Sequence, residues 1–255
     1  MRSAALVSAV LGGAALVVGL VAAPAAAPAA NSAPAAFAAF HGSPAHIGSV
    51  AAQVSGQRGS FNQNGENWSG VAVTGSGFTE VGATWTQPSA TCNSSNDLYA
   101  PWVGIDGYGT SSVEQTGVQT DCSSGRAVDS AWYEMYPANP VYYSNTVSAG
   151  DSITAKVTRS GTSYTLVETD NTKGWTKTTT KTYRGSNGSA EIILESPTAD
   201  YPNFGKVTFT GVTINNKSLT SFSPVLLDAS SSAGYEDHTS AINSSGGFSV
   251  SYEQE

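Results

Sequence analysis

The sequence predicts an all-β protein, an antiparallel sandwich or barrel, on three observations. Segments of alternating polarity recur at near-even spacing after residue 60. Clusters of Gly, Asn and Ser separate them. No stretch carries sustained helical periodicity.

The alternating segments run in order as "WSGVAVTG", "FTEVGATWTQP", "DSITAKVTRSG", "SYTLVETDN", "TKTTTKTYRG", "AEIILES", "KVTFTGVTIN" and "FSVSYEQ". Between them stand turns such as "GSG", "AGD", "DNTKG", "GSNGS" and "NSSGG". In "VTFTGVTI" apolar residues alternate with threonine, so one face packs and the other is wet and rich in hydroxyls. "APWVGIDG" is mostly apolar and contains glycine, which marks an interior strand that another backbone or a ligand approaches closely.

The 255 residues divide into three parts. Residues 1–27 read as a secretory signal: Arg2, an apolar run from Ala4 to Val21, then small residues suited to cleavage. Residues 28–60 are low in complexity and too poor in bulky groups to fold alone, a pro-segment or linker. Residues 61–255 suit one domain. All 19 acidic residues but only nine of the 11 basic ones lie in that last part, a net charge of about −10. That balance argues against nucleic acid and anionic membrane as partners. Cys92 and Cys122 are the only cysteines, and in an exported chain they read as one disulfide.

Elimination narrows the chemistry. The domain holds one histidine, His238, within the Gly/Ser-rich "SAGYEDHTS", which reads as a surface loop. No metal-ligand spacing, phosphate loop or dinucleotide fingerprint occurs, so neither a metal nor a cofactor is expected. Carboxylates, amides and aromatics remain. Glu191 and Glu195 are four apart, and in a strand they share a face. Asp106 and Glu134 sit among apolar and aromatic residues, and Glu114 precedes Gln115. Two glutamates suit a glycosidase, although about 13 Å of strand separates their Cα atoms. One carboxylate and one amide suit peptide hydrolysis: the carboxylate activates water and the amide N–H meets the oxyanion. A third reading is a carbohydrate-binding sandwich with an aromatic-lined face.

"NWSG", "WVGIDG", "EQTGV", "AWYEMYP", "AGDSITAKV" and "SAEIILE" occur in that order from Asn67 onward. Together they resemble the glutamic peptidases, the eqolisin or G1 family. The resemblance implies a sandwich of two large antiparallel sheets, of concanavalin-like or jelly-roll type, with a groove on one concave face. It implies a catalytic dyad of Gln115 and Glu195. Trp102, Asp106, Trp132, Glu134 and Tyr136 fall on positions that contact substrate or support the dyad. Asp106 and Glu134 either share a proton or are each hydrogen-bonded separately to backbone. The chain departs from fungal members at Ile192, where they carry tryptophan, and at Glu114, where they carry leucine. Both residues point away from the dyad face. The expected protein is a secreted, monomeric acid endopeptidase acting on polypeptides, with Glu195 as general base and no covalent intermediate.

Overall fold

The computed structural model describes residues 61–254. The expected signal, the 28–60 segment and Glu255 lie outside the described residues. Strands follow one another as β1 (Gln63–Asn64), β2 (Trp68–Thr74), β3 (Glu80–Thr86), β4 (Leu98–Ile105), β5 (Val113–Asp121) and β6 (Val128–Tyr136). Next come β7 (Val141–Thr146), β8 (Ser152–Ser160), β9 (Ser163–Asp170), β10 (Trp175–Thr182), β11 (Ser189–Glu195) and β12 (Lys206–Ile214). The last are β13 (Lys217–Ser218), β14 (Val225–Asp228), β15 (Ser230–Ser231), β16 (Gly234–Tyr235), β17 (Asp237–Thr239) and β18 (Phe248–Tyr252).

Two eight-stranded sheets account for sixteen of these strands. The first has the order β1-β14-β2-β11-β4-β5-β6-β7. The second has β10-β9-β8-β3-β12-β18-β17, with β13 on β12. Pairing is antiparallel except between β1 and β14, where the entering chain runs parallel to a late strand. The expected sandwich is therefore present.

Alternation explains how the sheets stack. Val71, Val103, Ile192 and Leu194 of the first sheet join Val157, Leu166, Phe209 and Val250 of the second in one buried cluster. The outer face of the second sheet is wet, as "VTFTGVTI" predicts. Thr210, Thr84, Thr154, Thr169 and Thr176 line up across five successive strands. Neighbours in the row share hydroxyl contacts, Thr84 with Thr154 at 2.8 Å and Thr169 with Thr176 at 3.0 Å. A bulge between Thr210 and Thr213 in β12 is carried by Gly211 at φ 56°.

The first sheet buries its outer face as well. Trp68, Ala72, Ala100, Trp102, Trp132 and Ile193 form a second apolar cluster there. This is why β4 and β11 read as greasy throughout: both of their faces are covered.

Gly117 shows how tightly that sheet is built. A Cβ at this position would lie 2.2 Å from the Pro101 carbonyl oxygen and 2.7 Å from Trp102 Cβ. Backbone cannot yield cheaply, so Gly117→Ala is expected to lose about 1–3 kcal/mol, read from denaturant unfolding.

Cys92 and Cys122 form the expected disulfide. His238 corrects the loop reading. It lies in β17, paired with Ser251, and its Nδ1 is 3.0 Å from Asp228 Oδ2. The Gly/Ser-rich flanks supply the short β15–β16 hairpin that leads into this strand.

Candidate active site

Register arranges the outer face of the first sheet in rows. Glu191, Gly104, Gln115 and Glu134 stand opposite one another across β11, β4, β5 and β6. The next row is Ile193, Trp102, Gly117 and Trp132. The third begins with Trp68 and Glu195 and continues to Ala100. Tyr99 faces Thr120 and Trp102 faces Gly117, which sets Ala100 across from Gln119. Gln119 in turn faces Ser130. The predicted Gln115 and Glu195 thus share one face, on strands separated by β4.

Glu195 is fully buried. Its Oε2 accepts from the Trp102 indole N–H at 3.0 Å, and its Oε1 accepts from Asn67 Nδ2 at 3.1 Å. Asn67 is itself braced, since its carbonyl accepts from Tyr201 Oη at 2.7 Å. Trp68 packs edge-on against Trp102, ring centroids 5.0 Å apart. Burial pushes the Glu195 carboxyl up to about 8; Trp68, Trp102 and Asn67 oppose that rise without cancelling it.

Gln115 donates from Nε2 to Glu134 Oε2 at 2.6 Å, both groups fully buried. An amide NH₂ has two hydrogens, so one remains to give. Desolvation pushes Glu134 up to about 9, and the Glu195 charge adds to this while the Gln115 contact opposes it. Glu134 therefore connects the two predicted dyad residues: it is bonded to one and senses the other.

Asp106 is hydrogen-bonded separately, to backbone. It ends β4 at φ 65°, and its two oxygens accept from the backbone N–H groups of Asn187 and Gly188, each at 2.8 Å. The left-handed turn carries its carboxyl to the 185–188 loop, while Glu134 stays with Gln115. Asp106 thus anchors the entry to β11. Glu114 points into the sandwich, as alternation requires, and finds no solvent there. Desolvation, then the Asp106 charge, pushes it up to about 8. Glu191 shares the face of Glu195 but has its own donor, the Tyr108 N–H at 3.1 Å.

Trp102 and Trp132 are fully buried in the outer cluster, and Tyr136 packs against it half-buried. They lie on the predicted face. The alternation rule could also have singled out Gln119, four residues from Gln115 on the same strand. Among the described residues no cluster of His, Cys, Asp or Glu has a metal-binding arrangement. An open pocket of about 750 Å3 lies beside this face, with Arg126, Ser130, Tyr142 and Tyr143 in its wall.

Comparison with known proteins agrees with this arrangement. The model of the Peptidase A4 family matches residues 66–252. Aspergillopepsin-2 of Aspergillus niger is 29% identical over 204 residues, spanning 67% of this chain and 72% of its own. The structure of scytalido-glutamic peptidase with a transition state analog inhibitor superposes with a TM-score of 0.65 at 27% identity, covering 74% of this chain and 98% of that one. A member of the eqolisin family in complex with the tripeptide Ala-Ile-His gives 0.61 at 26%, with the same coverage. The match runs from the turn before β2 through β18 and includes every strand of the three rows, so the chain belongs to the Peptidase A4 family, the glutamic peptidases, hydrolases of peptide bonds.

Proposed function

We propose that this chain is a secreted acid endopeptidase that hydrolyses polypeptides with Gln115 and Glu195 as its catalytic dyad. The observation that carries this reading is Glu195, a fully buried carboxyl whose hydrogen-bond donors are the neutral N–H groups of Trp102 and Asn67. Held up to about 8, it keeps its proton throughout the acid range. A neutral carboxyl presents an acceptor and a donor together.

One Glu195 oxygen takes a proton from the attacking water as the oxygen–carbon bond forms at the scissile carbonyl. The Gln115 hydrogen not used by Glu134 meets the oxyanion. In the same step the other Glu195 oxygen gives its own proton to the scissile nitrogen, so the carboxyl never carries two protons, and the carbon–nitrogen bond then breaks to release the amine. The carboxyl ends as it began, neutral, and no covalent intermediate forms. The disulfide supports an oxidising compartment outside the cytoplasm.

Digestion of a denatured protein across pH 2–7, with pepstatin present, tests the reading. The wild type is expected to cleave in acid and Glu195→Ala to leave the substrate intact. Cleavage by the folded Glu195→Ala variant would refute it.

A further inference from the structure

Gln119 is a buried amide that the mechanism above does not use. It is fully buried, and among the described residues its Nε2 has no hydrogen-bond acceptor. A buried N–H left unpaired costs about 1–3 kcal/mol, so such a group points to something that binds it. The other end of the amide is committed. Tyr142 Oη–H donates to Gln119 Oε1 at 2.7 Å. Desolvation, then the Glu134 and Asp121 charges, raises the Tyr142 phenol. It stays a donor at every working pH, which leaves the NH₂ as the free end.

Position supplies the rest. Gln119 lies in the row of Glu195, with only the Ala100 methyl between them. Two strand spacings separate them, about 9–10 Å, the span of about three residues of extended peptide. On the far side, Ser130 faces Gln119 and Tyr142 bonds it, and both residues line the open pocket of about 750 Å3. Gln119 therefore stands between the reacting carboxyl and a cavity open to solvent.

We propose that Gln119 Nε2 binds a main-chain carbonyl of the substrate, about three residues from the scissile bond, and that Tyr142 is the positioning residue that orients its amide. A main-chain carbonyl is the one acceptor that every extended peptide presents at a fixed spacing, whatever its side chains. This inference rests on the peptidase reading and adds a binding contact to it.

Steady-state kinetics on one peptide substrate, from pH 3 to 6, tests the contact. Gln119→Leu is expected to raise KM about tenfold with kcat within about threefold, because a contact made equally in ground and transition states acts through binding. Tyr142→Phe should raise KM less, about threefold. Gln119→Glu keeps the volume and the Tyr142 acceptor. Its neutral carboxyl donates and its ionised form cannot. Its KM should match the wild type within about threefold at pH 3 and diverge as pH rises. An unchanged KM in Gln119→Leu, or a pH-independent ratio in Gln119→Glu, overturns the proposal and assigns the amide to an ordered water. A wild type that cleaves no peptide overturns the peptidase reading, and this contact with it.

Discussion

Replacing Gln115 with alanine is expected to lower kcat by about 100- to 1,000-fold, the cost of one oxyanion donor. The loss falls on kcat because the oxyanion exists only in the transition state; KM should move little. The structure separates this effect from misfolding. Alanine keeps the backbone pairing of position 115 with Gly104 on one side and Glu134 on the other. Removing the amide takes away the contact that lowers Glu134, so that carboxyl rises further and stays neutral. No buried charge is stranded. The check is kcat and KM at acid pH beside a melting curve. A folded Gln115→Ala with near-normal kcat would remove Gln115 from the mechanism.

Strand alternation made most of the fold and half of the site legible. The threonine rows of the second sheet, the interior β4 and the opposite directions of Glu114 and Gln115 all follow from a period of two. So does the shared face of Glu191 and Glu195. Partners that depend on register do not follow. Asn67 reaches Glu195 across 128 positions of chain, and Trp102 across 93. Only the pairing of β2, β11 and β4 brings them together. For Asp106 the sequence left two arrangements open, and one left-handed residue at the end of β4 turns its carboxyl to the backbone of a loop. His238 was misread because Gly and Ser signal turns, and here they build a hairpin that feeds a strand. Gln119 was legible by spacing, yet its importance shows only once Tyr142 is seen to hold one end of it.

Thermal stability is expected to be greatest in acid and to fall steeply between pH 5 and 8, by at least about 15 °C in Tm. Desolvation raises Glu114 and Glu195 to about 8 and Glu134 to about 9. It also raises Glu168, Glu191 and Asp237 well above the carboxyl range. In the unfolded chain these groups titrate near 4. Above that pH the native state holds protons that the unfolded state has released, so stability falls as pH rises and the loss ends at the folded pKa values. Each such group contributes about 1.4 kcal/mol per pH unit. Two of them acting over three units outweigh about half of a typical stability of 5–15 kcal/mol, and about 1 kcal/mol moves Tm by about 2–4 °C at this size.

Asp151 runs the other way. Although desolvation opposes it, Lys173 at 2.8 Å and the Ser148 N–H hold it below its ordinary range, so its contribution is lost only in strong acid. Calorimetry from pH 3 to 8 reads the balance. Glu114→Gln should flatten the curve, because an amide in that place cannot ionise, and should leave hydrolysis in acid unchanged because Glu114 faces away from Gln115. A Tm that stays level or climbs from pH 5 to 8 would mean that these carboxyls are not held neutral by the fold. The proton-holding Glu195 of the proposed mechanism would then lose its physical basis, since the same desolvation keeps them all neutral.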